Sequence, residues 1–183
     1  MSPAGTVGSR GRLRLFCALR LPDAVLDALG RWQAECLGSG RIVPREHLHV
    51  TLAFLGSRPA SELETVAGAL RDAARQAGEI VFSAQRYRET RSVGMLVLED
   101  ETGEGGRLAA RLAERLEELD VYEREKRPWL PHVTVLRFRS PPRLQPPMPD
   151  LGAFSPSDAA VYHSLLRPSG AQYEILETVA LGG

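Results

Sequence analysis

The tetrapeptide His49-Val50-Thr51-Leu52 returns 83 positions later as His132-Val133-Thr134-Val135, and this echo restricts the architecture more than any other feature of the chain. Each copy opens an apolar run, "HLHVTLAFLG" over 47–56 and "WLPHVTVLRF" over 129–138. Side chains two apart on a strand share a face, roughly 7 Å from one another at about 3.3 Å rise per residue. As strands, the copies therefore turn His49 and Thr51, or His132 and Thr134, one way, and aliphatic residues the other. Each is a rigid mount for an imidazole and a hydroxyl, backed by an apolar layer. Two such mounts this far apart suit a chain of two related α/β lobes.

The rest of the pattern fills in those lobes. "LRLFCALRL" (13–21) reads as a strand ended by Pro22, and Asp23 as the cap of a helix with Val25, Leu26, Leu29, Trp32 and Cys36 at helical spacing. Gly38 and Gly40 stop it. The first motif makes a strand over 48–55, with Gly56 beginning a turn. Ser61 and Glu64 form a capping box for a second helix that turns Leu63, Val66 and Leu70 inward and ends at Gly78. Strands over 79–89 and 93–100 follow, joined near residues 90–92. A third helix runs over 106–119, with Leu108, Leu112, Leu116 and Leu119 on one face. The second motif makes a strand over 133–139, "SPPRLQPPMPDLG" a loop, and 158–166 and 171–181 a closing hairpin. The predicted order is β-α-β-α-β-β-α-β-loop-β-β. The fold class is α+β, bilobal, with mostly antiparallel sheets and one H-x-T motif per lobe.

Composition narrows the function classes. Twenty-three Lys and Arg balance 23 Asp and Glu, so no global charge steers the chain to nucleic acid or membrane. A long duplex-binding footprint is thereby disfavoured, while a local basic patch is not. Cys17 and Cys36 sit inside apolar patterns and read as buried thiols of a reducing compartment. Residues 1–12 read as a flexible tail without the apolar core of a signal peptide, and 13–183 as a single domain. No apolar run approaches the roughly 20 residues that span a bilayer. The expectation is a cytosolic monomer.

Placed side by side, the two motif strands would bring two imidazoles and two hydroxyls to one cleft. Imidazole both gives and takes a proton near neutrality. A pair can serve as base and acid, each transfer contributing about 10²- to 10⁴-fold in rate. Threonine hydroxyls can hold phosphate oxygens without adding charge. Arg137, three residues past Thr134, could meet an oxyanion bidentately. The set fits in-line displacement at a phosphodiester with protonation of the leaving oxygen, and calls for no metal or other cofactor.

"HVTLAFLG" and "HVTVLRF" resemble the duplicated H-x-T/S-hydrophobic signature of the 2H phosphoesterase superfamily. Within it the chain is similar to the LigT-like RNA 2′,3′-cyclic phosphodiesterases, historically called 2′-5′ RNA ligases. "LRLFCALRLP", "RPWLPHVTVLRF" and "SLLRPSGAQYEILETVAL" resemble the family's opening strand, second motif and closing hairpin. The resemblance implies a bilobal fold with a cleft between the lobes. It assigns His49 and His132 to catalysis, and Thr51, Thr134 and Arg137 to phosphate binding. It matches Phe54 to an aromatic residue that stacks on the terminal nucleobase, although regular alternation would turn Phe54 away from His49. The implied partners are RNA ends or nucleotides bearing a 2′,3′-cyclic phosphate. The implied reaction yields a 2′-phosphate, with His132 leaning toward base and His49 toward acid, and 2′-5′ ligation as its transesterification relative.

Two rival readings come from the same residues. His47 shares a strand parity with His49, so His47, His49 and His132 could hold a metal in a metal-dependent hydrolase. Against it, no carboxylate partner is evident and the threonines would go unexplained. The other rival is a non-catalytic RNA-end or nucleotide-binding module, which would not need both histidines. His163 reads as structural.

Overall fold

Two four-stranded antiparallel sheets carry the chain in a computed structural model that describes residues 11–182. Strands β1 (Arg12–Arg20), β3 (His49–Pro59), β7 (Asp158–Arg167) and β8 (Gly170–Val179) form one sheet in the order β3-β1-β7-β8. Strands β2 (Arg41–Ile42), β4 (Phe82–Glu89), β5 (Val93–Asp100) and β6 (His132–Arg137) form the other in the order β2-β6-β5-β4. The first motif thus lies on β3 of one sheet and the second on β6 of the other. The tail expected over 1–12 lies outside the described residues up to position 10, and Arg12 already belongs to β1.

One continuous core joins the sheets to helices α1 (Asp23–Cys36), α2 (Leu63–Arg75) and α3 (Glu104–Glu118). Leu15, Cys17 and Leu19 of β1 enter it, as do Val50 and Leu52 behind the first motif and Val133 and Val135 behind the second. The alternate residues of β1 face the other way, where Phe16 and Ala18 join Ala160, Tyr162 and Tyr173 in a separate apolar cluster. Among the described residues no helix is long and apolar enough to cross a membrane.

Several local expectations change. Pro22, with extended backbone, precedes α1, so Asp23 is its first helical residue and favours the positive helix end without capping it. The Ser61–Glu64 capping box does not form. Residues Ala60–Glu62 are already a 3₁₀ turn running straight into α2, which leaves no extended cap position for the Ser61 hydroxyl. Helix α3 starts two residues early: Gly103 adopts φ 73°, and the Asp100 carboxylate accepts from the Gly105 and Gly106 amides at 3.3 and 2.7 Å. The short β2 has no counterpart in the order expected from the sequence. The proline-rich loop is tied down, with Glu89 accepting from the Arg143 and Leu144 amides and Trp32 donating to the Pro147 carbonyl at 2.7 Å.

The departure that matters most lies just after each motif threonine. On β3, Thr51 faces Ala18 and Ala53 faces Cys17, so Leu52 is an extra residue in the ladder. On β6, Thr134 faces Met95 and Leu136 faces Gly94, so Val135 is extra in the same place. A bulge of one residue reverses strand parity beyond it. The third residue past each threonine, Phe54 or Arg137, consequently returns to the side of the histidine and threonine. The burial sequences of 49–54 and 132–137 are identical: half-buried, buried, half-buried, buried, buried, exposed. A second irregularity lets β3 continue through Gly56, at φ 73°, instead of turning there.

Both bulges have a side-chain brace from outside their own strand. Trp129 Nε1 donates to the Thr51 carbonyl at 2.9 Å, and Gln33 Nε2 donates to the Val135 carbonyl at 2.9 Å and to the Val43 carbonyl at 3.0 Å. Gln33 is only 2% exposed. The Val135 carbonyl also accepts from the Val43 amide at 3.2 Å, so loss of Gln33 would leave the Val43 carbonyl without its side-chain donor, and a buried carbonyl deprived of a donor is costly. Gln33→Met is therefore expected to lower unfolding free energy by about 1–3 kcal/mol in urea titrations, and an unchanged midpoint would contradict the bracing role.

Candidate active site

A cavity of about 530 Å³ opens on the cleft face of β3 and β1 and reaches the end of β6. His49, Thr51 and Phe54 line it from the first motif, and Thr134 and Arg137 from the second. His132, two residues before Thr134, is half-buried and lies outside that lining, yet close enough for its charge to disfavour charge on His49. The cavity therefore gathers five of the six residues singled out in the sequence, and the sixth, His132, lies outside its lining.

The two imidazoles are held alike. His49 Nδ1 lies 2.8 Å from the His47 carbonyl, and His132 Nδ1 lies 2.8 Å from the Leu130 carbonyl. A carbonyl can only accept, so each Nδ1 donates, and each neutral ring keeps its lone pair on Nε2. The same i−2 carbonyl orients both rings. His49 Nε2 is 3.0 Å from Thr51 Oγ1, whose hydroxyl can donate to it.

His49 stands on an aromatic floor. Its ring centroid is 5.0 Å from Phe16, 5.7 Å from Tyr173 and 5.8 Å from Tyr162, and Phe16 stacks flat on Tyr162 at 4.8 Å. Burial there pushes the His49 pKa down to about 4. The bond to the His47 carbonyl opposes that shift, and nearby charge on His132, His47 and Arg137 reinforces it. In the free protein His49 is therefore neutral at pH 7.

Phe54 is 46% exposed, a large apolar ring open to the cavity, with the Arg14 guanidinium 4.9 Å from its centroid. Its parity conflict with His49 disappears because of the Leu52 bulge. His47 does not share a strand face with His49; it ends a 3₁₀ turn, Arg45–His47, and its ring packs 4.3 Å from Tyr173. Among the described residues no three His, Cys, Asp or Glu side chains gather as a metal-ligand set. His163 lies outside the cavity lining, its Nδ1 3.9 Å from Glu174. Burial pushes the Cys17 thiol up to about 12, which makes it an inert core group.

Arg14, Phe16, Arg41 and Tyr173 also line the cavity and carry no motif. The alternation of β1 contains the signal for two of them. Leu13, Leu15, Cys17 and Leu19 leave Arg14, Phe16, Ala18 and Arg20 for the opposite face, and a charged face on an otherwise apolar strand marks a solvent-lined surface.

The model of the 2′-5′ RNA ligase superfamily matches residues 21–165, a span that contains both motifs. The chain belongs to that superfamily. A Thermus thermophilus protein named RNA 2′,3′-cyclic phosphodiesterase is 32% identical over 93% of this chain and 91% of its own length. An Escherichia coli protein of the same name is 28% identical over 92% and 96%. A crystal structure of a T. thermophilus protein superposes with a TM-score of 0.80 at 31% identity, over 93% of this chain and 99% of that one. E. coli LigT, crystallised with 3′-AMP, superposes at 0.78 and 22% identity over 94% and 100%, which supports the common fold. The LigT-like resemblance and the α+β fold class expected from the motifs are borne out.

The depressed His49 pKa links folding to acidity in this superfamily member. Unfolded, the ring titrates near 6.5; folded, near 4. Between those values only the unfolded chain binds the proton, so stability falls as pH drops from 6.5 toward 4, by at most about 3 kcal/mol from this group. Replacing the ring in His49→Gln should flatten that part of the profile in denaturation measurements. An unchanged slope would mean that the ring is not desolvated.

Proposed function

We infer that the chain is an RNA 2′,3′-cyclic phosphodiesterase that converts a terminal 2′,3′-cyclic phosphate to a 2′-phosphate without a metal or other cofactor, acting as a cytosolic monomer. The observation that carries this reading is the pair of imidazoles, each with Nδ1 fixed on a carbonyl, together with a cavity lined by His49, Thr51, Thr134 and Arg137. The two homologues named for this activity support it.

In the reaction, Thr51, Thr134 and Arg137 hold the non-bridging oxygens of the cyclic phosphate. Phe54 stacks on the terminal base, a contact worth about 1–3 kcal/mol. Water attacks phosphorus, His132 Nε2 takes its proton, and protonated His49 delivers one to the departing 3′ oxygen. An RNA hydroxyl in place of water would give the 2′-5′ ligation. For His49 to act as the acid, the bound anion must raise its pKa from the low value of the free protein. The reverse assignment, His49 as base, is favoured by that same low value. The site of the proton distinguishes them. In nitrogen-15 spectra of histidine-labelled protein bound to a nucleoside 2′-phosphate near pH 7, a protonated His49 ring is expected, and a neutral His49 beside a protonated His132 would favour His49 as base.

Pure protein incubated in EDTA with an oligonucleotide ending in a 2′,3′-cyclic phosphate should release only the 2′-phosphate isomer. Loss of turnover in EDTA would favour the metal-dependent rival, and binding without turnover the non-catalytic module. His49→Ala and His132→Ala should each lower kcat at least about a hundredfold with folding intact. Arg137→Ala should act mainly on KM.

A further inference from the structure

A second groove, of about 550 Å³, adjoins the cavity of the two motifs and shares Arg41 and Arg137 with it. Phe138 and Arg139 carry one wall onward from the end of β6, and Ser39 and Gly40 form part of the other. Gly40 lies so close to β6 that a Cβ there would come within 2.8 Å of the Arg137 carbonyl, which keeps this wall thin.

Three arginines, Arg41, Arg137 and Arg139, line this groove. Arg41 and Arg137 face each other directly across β2 and β6. Like charges in that position destabilise a sheet. Among the described residues neither forms an ion pair, and neither does Arg139. Three uncompensated guanidiniums along one groove, two of them held together at a cost to the sheet, call for an anion from outside the protein. A positive groove beside an exposed aromatic ring is the arrangement that tracks a single-stranded nucleic-acid backbone.

We propose that this groove binds the phosphodiester backbone immediately upstream of the RNA's terminal nucleotide, with Arg41 and Arg137 meeting the first upstream phosphate and Arg139 the next. The proposal rests on the cyclic-phosphate reading of the adjoining cavity and extends it: the preferred substrate is an oligonucleotide end, and a cyclic mononucleotide fills only the first cavity. Arg137, at the junction, links the reacting phosphate to the chain behind it.

The test compares a 2′,3′-cyclic mononucleotide with a trinucleotide carrying the same cyclic end, using the wild-type protein and Arg139→Ala. Arg139 is outside the first cavity, so its removal leaves the fold and mononucleotide turnover unchanged. For the trinucleotide, kcat/KM should fall about five- to tenfold, and the slope of log(kcat/KM) against log salt should shrink by close to one contact. In parallel, a 5′-labelled trinucleotide ending in 2′-phosphate should bind Arg139→Ala correspondingly more weakly by fluorescence anisotropy, a readout independent of turnover. Equal loss on both substrates, or no change on either together with unchanged binding, would overturn the proposal. Weakened trinucleotide binding in a protein that turns over neither substrate would support the groove while removing the phosphodiesterase reading of the cavity.

Discussion

One extra residue in each motif strand governs the site. Without Leu52 in β3 and Val135 in β6, strict alternation would send Phe54 and Arg137 to the core side of their sheets, where an exposed ring and a guanidinium have no place. With the bulges, each strand presents three groups to the cleft instead of two: histidine, threonine, then an aromatic ring on one strand and a cation on the other. The two halves of the fold thus use the same backbone device and diverge at its last position. One half supplies an exposed aromatic ring and the other a guanidinium.

The bulges also account for Gln33 and Trp129. A bulge interrupts the ladder and leaves backbone groups in need of partners. Gln33 reaches the Val135 carbonyl from α1, and Trp129 reaches the Thr51 carbonyl from the segment that leads into β6. Each brace comes from outside the strand it supports, and Trp129 ties the approach to one motif to the backbone of the other. The distance between the two motifs is therefore set by hydrogen bonds as well as by the shared core.

Much of this was legible in the sequence. The paired tetrapeptides gave the strand faces, the lobed α+β architecture and the histidine and threonine positions, because period-two patterning is strong wherever one face is buried. The bulges were not legible, since an inserted residue that is itself aliphatic, as Leu52 and Val135 are, does not disturb the apolar pattern. That is why Phe54 carried an apparent parity conflict. Ser61 and Glu64 matched a capping box by residue type, but the 3₁₀ turn at Ala60–Glu62 removed the backbone geometry that such a cap requires. His47 matched a strand face by spacing, but Pro44 and the turn after it start the strand only at His49. Arg41 had no signal at all, because a two-residue strand has no period. The proline-rich loop was correctly irregular, yet its anchoring on Glu89 and Trp32 depends on tertiary contacts.

The central claim is that two backbone-oriented imidazoles turn their Nε2 atoms toward one phosphate. Nitrogen-15 spectra of histidine-labelled protein titrated with inorganic phosphate test this most directly. The expected result is an Nδ1–H tautomer for both neutral rings, with the Nε2 signals of His49 and His132 moving together along one binding curve. A response from only one ring, or two responses with different affinities, would contradict it.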